Sequence, residues 1–211
     1  MARKKSGREK IIDAAERLFA EKGFRAVIVR AITKAAGVNV ASVNYHFGSK
    51  ENLYLQVIRE KIVPRAVKVR EHFENLLKQG GNSTLESIIR SLCLSFLKGP
   101  ISGRVRLTHQ QFMAREIAHP TRGFRIIADE VVRPLLTLLV ENLKPHLPDG
   151  IGDTEVTFFA MSVFAQVHHF SFTRHLTSQV VGQEFDDEFI DFVVEHIVNF
   201  STGRYLRRDG E

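Results

Sequence analysis

The chain has 211 residues, of which 44% are hydrophobic and 26% charged, and this composition excludes disordered and fibrous proteins. The formal net charge of +6 is unevenly placed, because residues 1–70 hold 16 Lys and Arg against 6 Asp and Glu, whereas residues 71–211 hold 14 against 18. A basic N-terminal third indicates a surface that binds phosphate groups, although a charge run on its own is more often a solvated surface.

Cysteine usage and hydropathy indicate where the protein resides. Cys93 is the only cysteine, so the chain can form no intrachain disulfide, as is usual in a reducing cytoplasm. The basic N-terminus leads into an amphipathic helix and not into the apolar core of a signal peptide. No stretch approaches the length of a membrane span. We therefore expect a cytoplasmic protein that has no membrane partner.

The first two helices are marked by their ends. Ser6 and Glu9 form a capping box that opens the first helix, and Gly23 is expected to end it. The second helix should run from about Ile28 to Gly37. Its start is poorly capped, because the side chain of Ile28 has no oxygen that could accept a backbone N–H.

The second and third helices form a helix-turn-helix pattern around Gly37-Val38-Asn39. Asn39 is expected to cap the third helix, which ends at Phe47. If this helix lies in a DNA major groove, residues of the motif can reach bases or phosphates. Ser42 and Asn44 suit base edges, since an asparagine amide can pair with adenine through two hydrogen bonds. The candidates for DNA contact before the fourth helix are Arg30, Thr33, Val40, Ala41, Ser42, Asn44, Tyr45 and His46.

The fourth helix should begin at Ser49-Lys50 and extend to about Lys78. Its free N–H groups and positive dipole end predict an anion site at Lys50. Pro64 removes one backbone hydrogen bond and is expected to kink the helix. We place a DNA-binding domain at residues 1–52 and a body at residues 53–211. Because this helix joins the two parts, we hypothesise that it acts as a lever near Pro64, coupling changes in the body to the DNA-binding domain.

The body is predicted to be helical throughout, which makes the fold all-α, with about nine helices in total. It shows no two-residue alternation and no internal repeat. Pro134 is expected to kink one of the body helices. The helices of the body are predicted over residues 84–97, 104–118, 124–143, 153–176 and 186–202.

The N-terminal third contains a series of residues in a fixed order: Ala14-Ala15, Leu18-Phe19, Lys22-Gly23-Phe24, Ile32, Ala35-Ala36-Gly37-Val38, Tyr45-His46-Phe47-Gly48-Ser49-Lys50-Glu51 and Leu53-Tyr54. In these residues it resembles the TetR family of bacterial transcriptional repressors. The resemblance implies a homodimer in which the first three helices bind an inverted-repeat operator in double-stranded DNA and the body holds an effector pocket. It also implies that Tyr45 and His46 face the DNA and that Lys50 contacts phosphate.

The chain departs from the family pattern at three places. Val27 and Ile28 stand where a hydroxyl residue is common, so a phosphate contact and a helix cap can be missing. Ala31 stands where an acidic residue is frequent. Asn44 stands where tyrosine is frequent, so base preferences do not transfer from relatives. In the body, residues 114–121 resemble a segment of one TetR subgroup, sometimes called CerR-like.

Two functions are predicted for the body. The last two long helices are expected to form the homodimer interface, because their many apolar faces require a partner surface; a ligand cavity and ordinary core packing are the alternatives. A pocket for a small effector of unknown identity is assigned to large apolar residues, which core packing would equally explain. These residues are Phe96, Phe112, Met113, Leu136 and Phe158.

The sequence does not indicate an enzyme, a cofactor or a metal site. It contains no nucleophile elbow, P-loop, dinucleotide fingerprint or zinc-protease helix. His168 and His169 are adjacent and point to different helix faces, which disfavours a shared metal ion. Arg115 and Glu116 are interpreted as a structural ion pair or helix-end contact. We therefore predict a repressor released from its operator by a small molecule, with a ligand-independent regulator or an activator as the alternative and a helical enzyme less favoured.

Overall fold

The computed structural model describes residues 5–81, 83–101 and 103–206, and every regular element within these ranges is helical. This confirms the all-α prediction. No helix in the described ranges is long and apolar enough to cross a membrane. The α-helices are α1 (Gly7–Ala26), α2 (Val29–Ala36), α3 (Ala41–Phe47), α4 (Lys50–Val57), α5 (Val63–Gln79), α6 (Leu85–Leu97), α7 (Gly103–Ala118), α8 (Gly123–Ile127), α9 (Arg133–Leu143), α10 (Asp153–Phe172), α11 (Arg174–Val181) and α12 (Asp187–Leu206).

The capping signals of the N-terminal helices are confirmed except for the end of α1, which lies at Ala26, three residues after the predicted end at Gly23. The Ser6 hydroxyl accepts from the Glu9 amide at 3.2 Å, and the Glu9 carboxylate accepts from the Ser6 amide at 2.7 Å. Gly23 has a φ of 79° and interrupts the helical backbone of α1 near its end. Ile28 precedes α2 without a side-chain cap, as expected. Gly37 then ends α2 in the left-handed conformation.

Helix α3 begins slightly later than predicted. Val40 occupies the N-cap position and Ala41 is the first helical residue. The Asn39 side chain still accepts a hydrogen bond from the Ala41 amide at 2.9 Å, so it satisfies a free N–H of the first turn. Gly48, with a φ of 74°, follows the last turn.

The helices that contain Pro64 and Pro134 share one irregularity. A π-helical segment, Ile58–Ile62, joins α4 to α5 two residues before Pro64. A second, Ala128–Val132, joins α8 to α9 two residues before Pro134. Proline has no N–H to bond the carbonyl four residues earlier, which explains why the regular pattern fails nearby.

The helix count exceeds the prediction by one. If each π segment is taken as part of a continuous helix, the described chain has ten helices where about nine were expected. The addition is α11, which the sequence merged with α10. Thr173 separates the two with φ −95° and ψ 21°, and its hydroxyl donates to the His169 carbonyl at 2.8 Å. Local bonding by a threonine hydroxyl competes with the helical pattern.

The chain forms two compact units. The first contains residues 1–66 and 101–131, and the second contains residues 67–100 and 132–211. The functional boundary predicted after residue 52 stays a prediction, because compactness does not test it. The core of the second unit lies between α6, α9, α10 and α12, with Ile89, Leu139 and Val163 fully buried.

Candidate nucleic-acid interface

Helices α2 and α3 are held in place by their apolar inner faces. Ile32 in α2 and Val43 in α3 have no exposed surface, and Phe47 at the end of α3 is 7% exposed. The guanidinium of Arg8 in α1 lies 5.3 Å from the centre of the Phe47 ring. Because one face of each short helix is fixed against α1, the opposite faces form a surface of defined geometry.

Most residues predicted to contact DNA lie on that surface. Tyr45 is 85% exposed and Val40 is 42% exposed. Ser42 and Lys50 are half-buried. The remaining exposed candidates are Arg30, Ala41, Asn44 and His46.

Thr33 is placed differently from the other candidates. Its side chain is only 2% exposed, and its hydroxyl donates to the Arg30 carbonyl at 3.2 Å. A buried hydroxyl cannot reach a DNA groove from this position. Thr33 therefore stabilises α2 from within, and a direct DNA contact from it would need a different local structure.

Lys50 is engaged inside the protein. Its ammonium donates to the backbone carbonyls of Phe24 and Val27, at 3.0 Å each. It also lies 4.3 Å from the centre of the Phe24 ring, within the range of a cation–π contact. Ser49 caps α4 by accepting from the Asn52 amide at 3.1 Å and so fixes the start of the helix that carries Lys50.

Ion pairs join α1 to the helix that follows the motif. Lys61 contacts Asp13 at 2.6 Å, Arg65 contacts the buried Glu16, and Arg8 contacts Glu60. Burial acts to raise the pKa of Asp13, but hydrogen bonds from Lys5 and Lys61 outweigh it and lower that pKa. These cations are already paired with carboxylates, so only the other basic side chains are available to an anionic partner.

Helix α7 contributes contacts that the sequence did not predict in detail. Arg115 donates to the Ala20 carbonyl at 2.7 Å and to the Glu21 carbonyl, near the end of α1. This confirms a helix-end contact for Arg115. Glu116 is 1% exposed, and its carboxylate accepts from the Tyr54 hydroxyl of α4.

The turn after α7 completes this buried network. The amide and the hydroxyl of Thr121 each donate to the Glu116 carboxylate at 2.8 Å. Tyr54 stacks on Phe112, with ring centres 5.1 Å apart. Burial, with the hydrogen bond to Glu116, raises the pKa of Tyr54, so the hydroxyl remains a donor. Only the long-range fold brings α4 and α7 together, and no local pattern signals it.

The residues predicted to line an effector pocket divide between the two units. Phe112 and Met113 are buried in the first unit, at 1% and 8% exposure. In the second unit, Phe96 packs against the core, Leu136 is half-buried and Phe158 is 64% exposed. Neither unit by itself gathers all five residues around one cavity, and the pocket stays a prediction.

The second unit exposes aromatic side chains on α10 and α12. Phe158 and Phe172 belong to α10, and Phe192 and Phe200 belong to α12, with exposures between 40% and 70%. Phe158 and Phe200 both line an open groove of about 400 Å³ between the two helices. Exposed apolar side chains of this size are candidates for an interaction surface.

Histidine, acidic and cysteine side chains do not converge as metal ligands in the described ranges, where no group of three or more could hold an ion. His168 instead packs against Phe164 and Phe172, with ring centres 5.9 and 6.2 Å away. Burial lowers the pKa of His168, with a smaller contribution from His169.

Two family models match the chain. Residues 11–57 match the N-terminal domain of bacterial regulatory proteins of the tetR family, and residues 84–204 match the C-terminal domain of the HTH-type transcriptional dual regulator CecR. The second match covers more than half of the chain and agrees with the subgroup resemblance of residues 114–121.

Individual proteins give the same assignment. The dual regulator CecR of Shigella flexneri is 25% identical over 189 residues, which cover 86% of this chain and 83% of that protein. The repressor AcnR of Corynebacterium glutamicum is 33% identical over 136 residues, 64% of this chain and 67% of that protein.

Solved structures are similar in fold. The fatty acid degradation regulator FadR of Bacillus halodurans has a TM-score of 0.61 at 19% identity and covers 93% of this chain and 97% of its own. A TetR-like regulator from Rhodococcus sp. RHA1 has a TM-score of 0.64 at 14% identity, covering 97% and 98%. Together with the helix-turn-helix geometry, the family matches establish that this chain belongs to the TetR family, with a CecR-type C-terminal domain, and is a DNA-binding transcriptional regulator and not an enzyme.

Proposed function

We propose that this regulator is a cytoplasmic repressor that binds an inverted-repeat operator as a homodimer and is released by a small-molecule effector. The observation that carries the proposal is the exposed outer face of α2 and α3 in a basic unit, held rigidly by α1. Effector release is a coupling free energy, because a ligand weakens DNA binding only by its preference for the state that does not bind DNA.

The exposed residues divide by chemistry into two roles. Asn44 and Ser42 on α3 are proposed to read base edges, with Val40 and Ala41 supplying apolar contacts at the start of the helix. Arg30 on α2, with Tyr45 and His46 at the far end of α3, is proposed to contact the phosphate backbone. Phosphate contacts supply affinity, and base contacts supply sequence preference.

The exposed aromatic face of α10 and α12 is the proposed homodimer interface. Twofold pairing would cover Phe158, Phe172, Phe192 and Phe200 with the same residues of a second copy. It would also present two α3 helices to successive major grooves, which are about 34 to 36 Å apart on one side of the DNA.

The effector is proposed to bind among the apolar residues of the C-terminal domain. Phe96 packs against a core of aliphatic and aromatic side chains, and such surroundings suit an apolar small molecule. A regulator that both represses and activates is a second candidate, because the Shigella relative is named a dual regulator.

Selection of genomic DNA fragments by the purified protein tests the proposal. We expect enrichment of fragments that share an inverted repeat, one of them upstream of the gene for this protein. Gel shifts on the selected site should then lose base preference when Asn44 is changed to alanine, by about 1 to 3 kcal/mol at the base it reads. Absence of any sequence-specific fragment would rule out the repressor function.

A further inference from the structure

The turn between α1 and α2 has no side-chain cap at the start of α2. Gly23 interrupts the backbone of α1, Val27 is extended, and Ile28 opens α2 without a side-chain cap. Ile28 is also 62% exposed, so little apolar burial holds it. Val27 is 2% exposed and packs in the core, but the N-cap residue Ile28 contributes neither a side-chain cap nor apolar burial to the start of α2.

Lys50 supplies that support from the first residue of α4. Its ammonium bridges the carbonyls of Phe24 and Val27, three residues apart, and thereby closes the turn. The Phe24 ring lies under the same ammonium, and that ring also contacts Tyr54, with centres 4.9 Å apart. Hydrogen bonds to a charged donor are stronger than neutral ones, so this clamp is a substantial constraint on the turn.

We propose that Lys50 is a positioning residue: its ammonium clamps the α1–α2 turn and sets α2 and α3 for DNA, and it stays on the two carbonyls when DNA is bound. An ammonium has three N–H donors, and two of them are used here. A phosphate contact that displaced the ammonium would release both carbonyls and the start of α2 together, whereas a contact through the third N–H would appear as a flattened salt slope when Lys50 is replaced. The role rests on the proposed DNA binding, but the clamp itself does not depend on it.

The test compares Lys50→Met with Arg30→Met. Both changes remove one cation from the same module and leave an unbranched apolar side chain. Arg30 is exposed on α2 and is the proposed phosphate ligand, so its removal should flatten the dependence of log affinity on log salt, by about 0.9 for each phosphate that is no longer neutralised. Removal of a positioning residue should lower the affinity about tenfold at every salt concentration, without changing that slope.

Three measurements separate the roles. The first is affinity for the genomically selected site by fluorescence anisotropy between about 50 and 200 mM salt. The second is the affinity ratio between that site and one with a single changed base, which Lys50→Met should reduce and Arg30→Met should preserve. The third is Tm, which should fall by about 3 °C or more in Lys50→Met only.

Lys50→Gln provides a rescue and a safeguard against misfolding of the methionine variant. Its amide retains donors for a backbone carbonyl but no charge, so it should restore part of the Tm and part of the affinity. A flattened salt slope in Lys50→Met or Lys50→Gln would overturn the proposal, as would an unchanged Tm in both. If the natural protein binds no specific DNA, the proposed function fails, while the Tm comparison still decides whether the clamp exists.

Discussion

The two compact units differ in what their surfaces offer. The first unit carries 19 Lys and Arg against 9 Asp and Glu, whereas the second carries 11 against 15. The second instead exposes four phenylalanines on α10 and α12. A basic surface attracts phosphates and an exposed aromatic surface suits association, so the proposed DNA contact and the proposed dimer interface lie in different units.

The units also differ in how they use polar groups. In the first unit, Glu116 is buried and fully engaged with Tyr54 and Thr121. In the second, ion pairs such as Arg90 with Glu195 lie at the surface. A buried network enforces one arrangement of the helices that meet there, whereas surface pairs impose little, and this suits the unit that contains the helix-turn-helix.

The largest effect is expected from replacing exposed phenylalanines in the proposed dimer interface of α10 and α12. The double change Phe192→Asp and Phe200→Asp places two carboxylates on α12 where the dimer would bury them. We expect a folded monomer whose affinity for the operator falls by about 10² to 10⁴, because the second recognition helix is no longer tethered. Analytical ultracentrifugation gives the oligomeric state, and anisotropy gives the affinity.

Phe124→Asp is the matched control for that experiment. Phe124 is 41% exposed but belongs to the first unit, so the same change of residue there should leave the dimer intact. A double variant that still forms a dimer would place the interface on another surface.

The next effect comes from the buried network. Glu116→Ala leaves the Tyr54 hydroxyl and the Thr121 amide without their acceptor, and each buried unsatisfied group costs about 1 to 3 kcal/mol. We expect a fall in Tm of about 5 to 10 °C, measured by calorimetry, together with weaker DNA binding. The dimer should persist, because the change lies in the first unit.

Glu195→Ala is the control from the second unit. Its pair with Arg90 is exposed at both ends, at 53% and 40%, so the loss of stability should be at most about 1 kcal/mol. Equal losses of stability in the two alanine variants would show that the buried network contributes no more than a surface pair and would remove this contrast between the units.

Local signals in the sequence were sufficient to predict the helices of the DNA-binding motif. Ser6, Gly37 and Ser49 act within one turn of their own helix ends, so their roles can be recognised without knowledge of the fold. The exposed positions of Asn44 and Tyr45 follow from the same short-range periodicity. The family resemblance then predicts which helix reads DNA.

Long-range contacts set the limit of that approach. The acceptors of the Lys50 ammonium lie 26 and 23 residues away, and Tyr54 meets Glu116 across 62 residues. Nothing in the neighbourhood of these residues encodes their partners. Sequence alone therefore suggested a phosphate for Lys50, although the fold already provides it with two carbonyls, and it left the role of α7 in the first unit unseen.

The smallest effect is expected from a substitution in the helix that contains Pro64, which tests whether that helix couples the two units. The α4–π–α5 helix continues past residue 66, where the division between the units falls, and its π segment precedes Pro64 by two residues. Pro64→Ala restores an N–H that can bond the Glu60 carbonyl and favours a regular helix. If this helix carries the coupling, the operator affinity should change by about 0.5 to 2 kcal/mol.

Pro134→Ala is the control that distinguishes coupling through the Pro64 helix from a general effect of replacing a proline. It removes the same residue after the same kind of π segment, and its helix also crosses the division between the units, at residues 131 and 132. Pro134 itself, however, lies in the second unit, whereas Pro64 lies in the first unit with the DNA-binding motif. Helix regularity should increase in both variants by circular dichroism, whereas only Pro64→Ala should change operator affinity. Equal changes in affinity would mean that both helices transmit to the DNA-binding motif, and no change in either would place the coupling outside these two irregular helices.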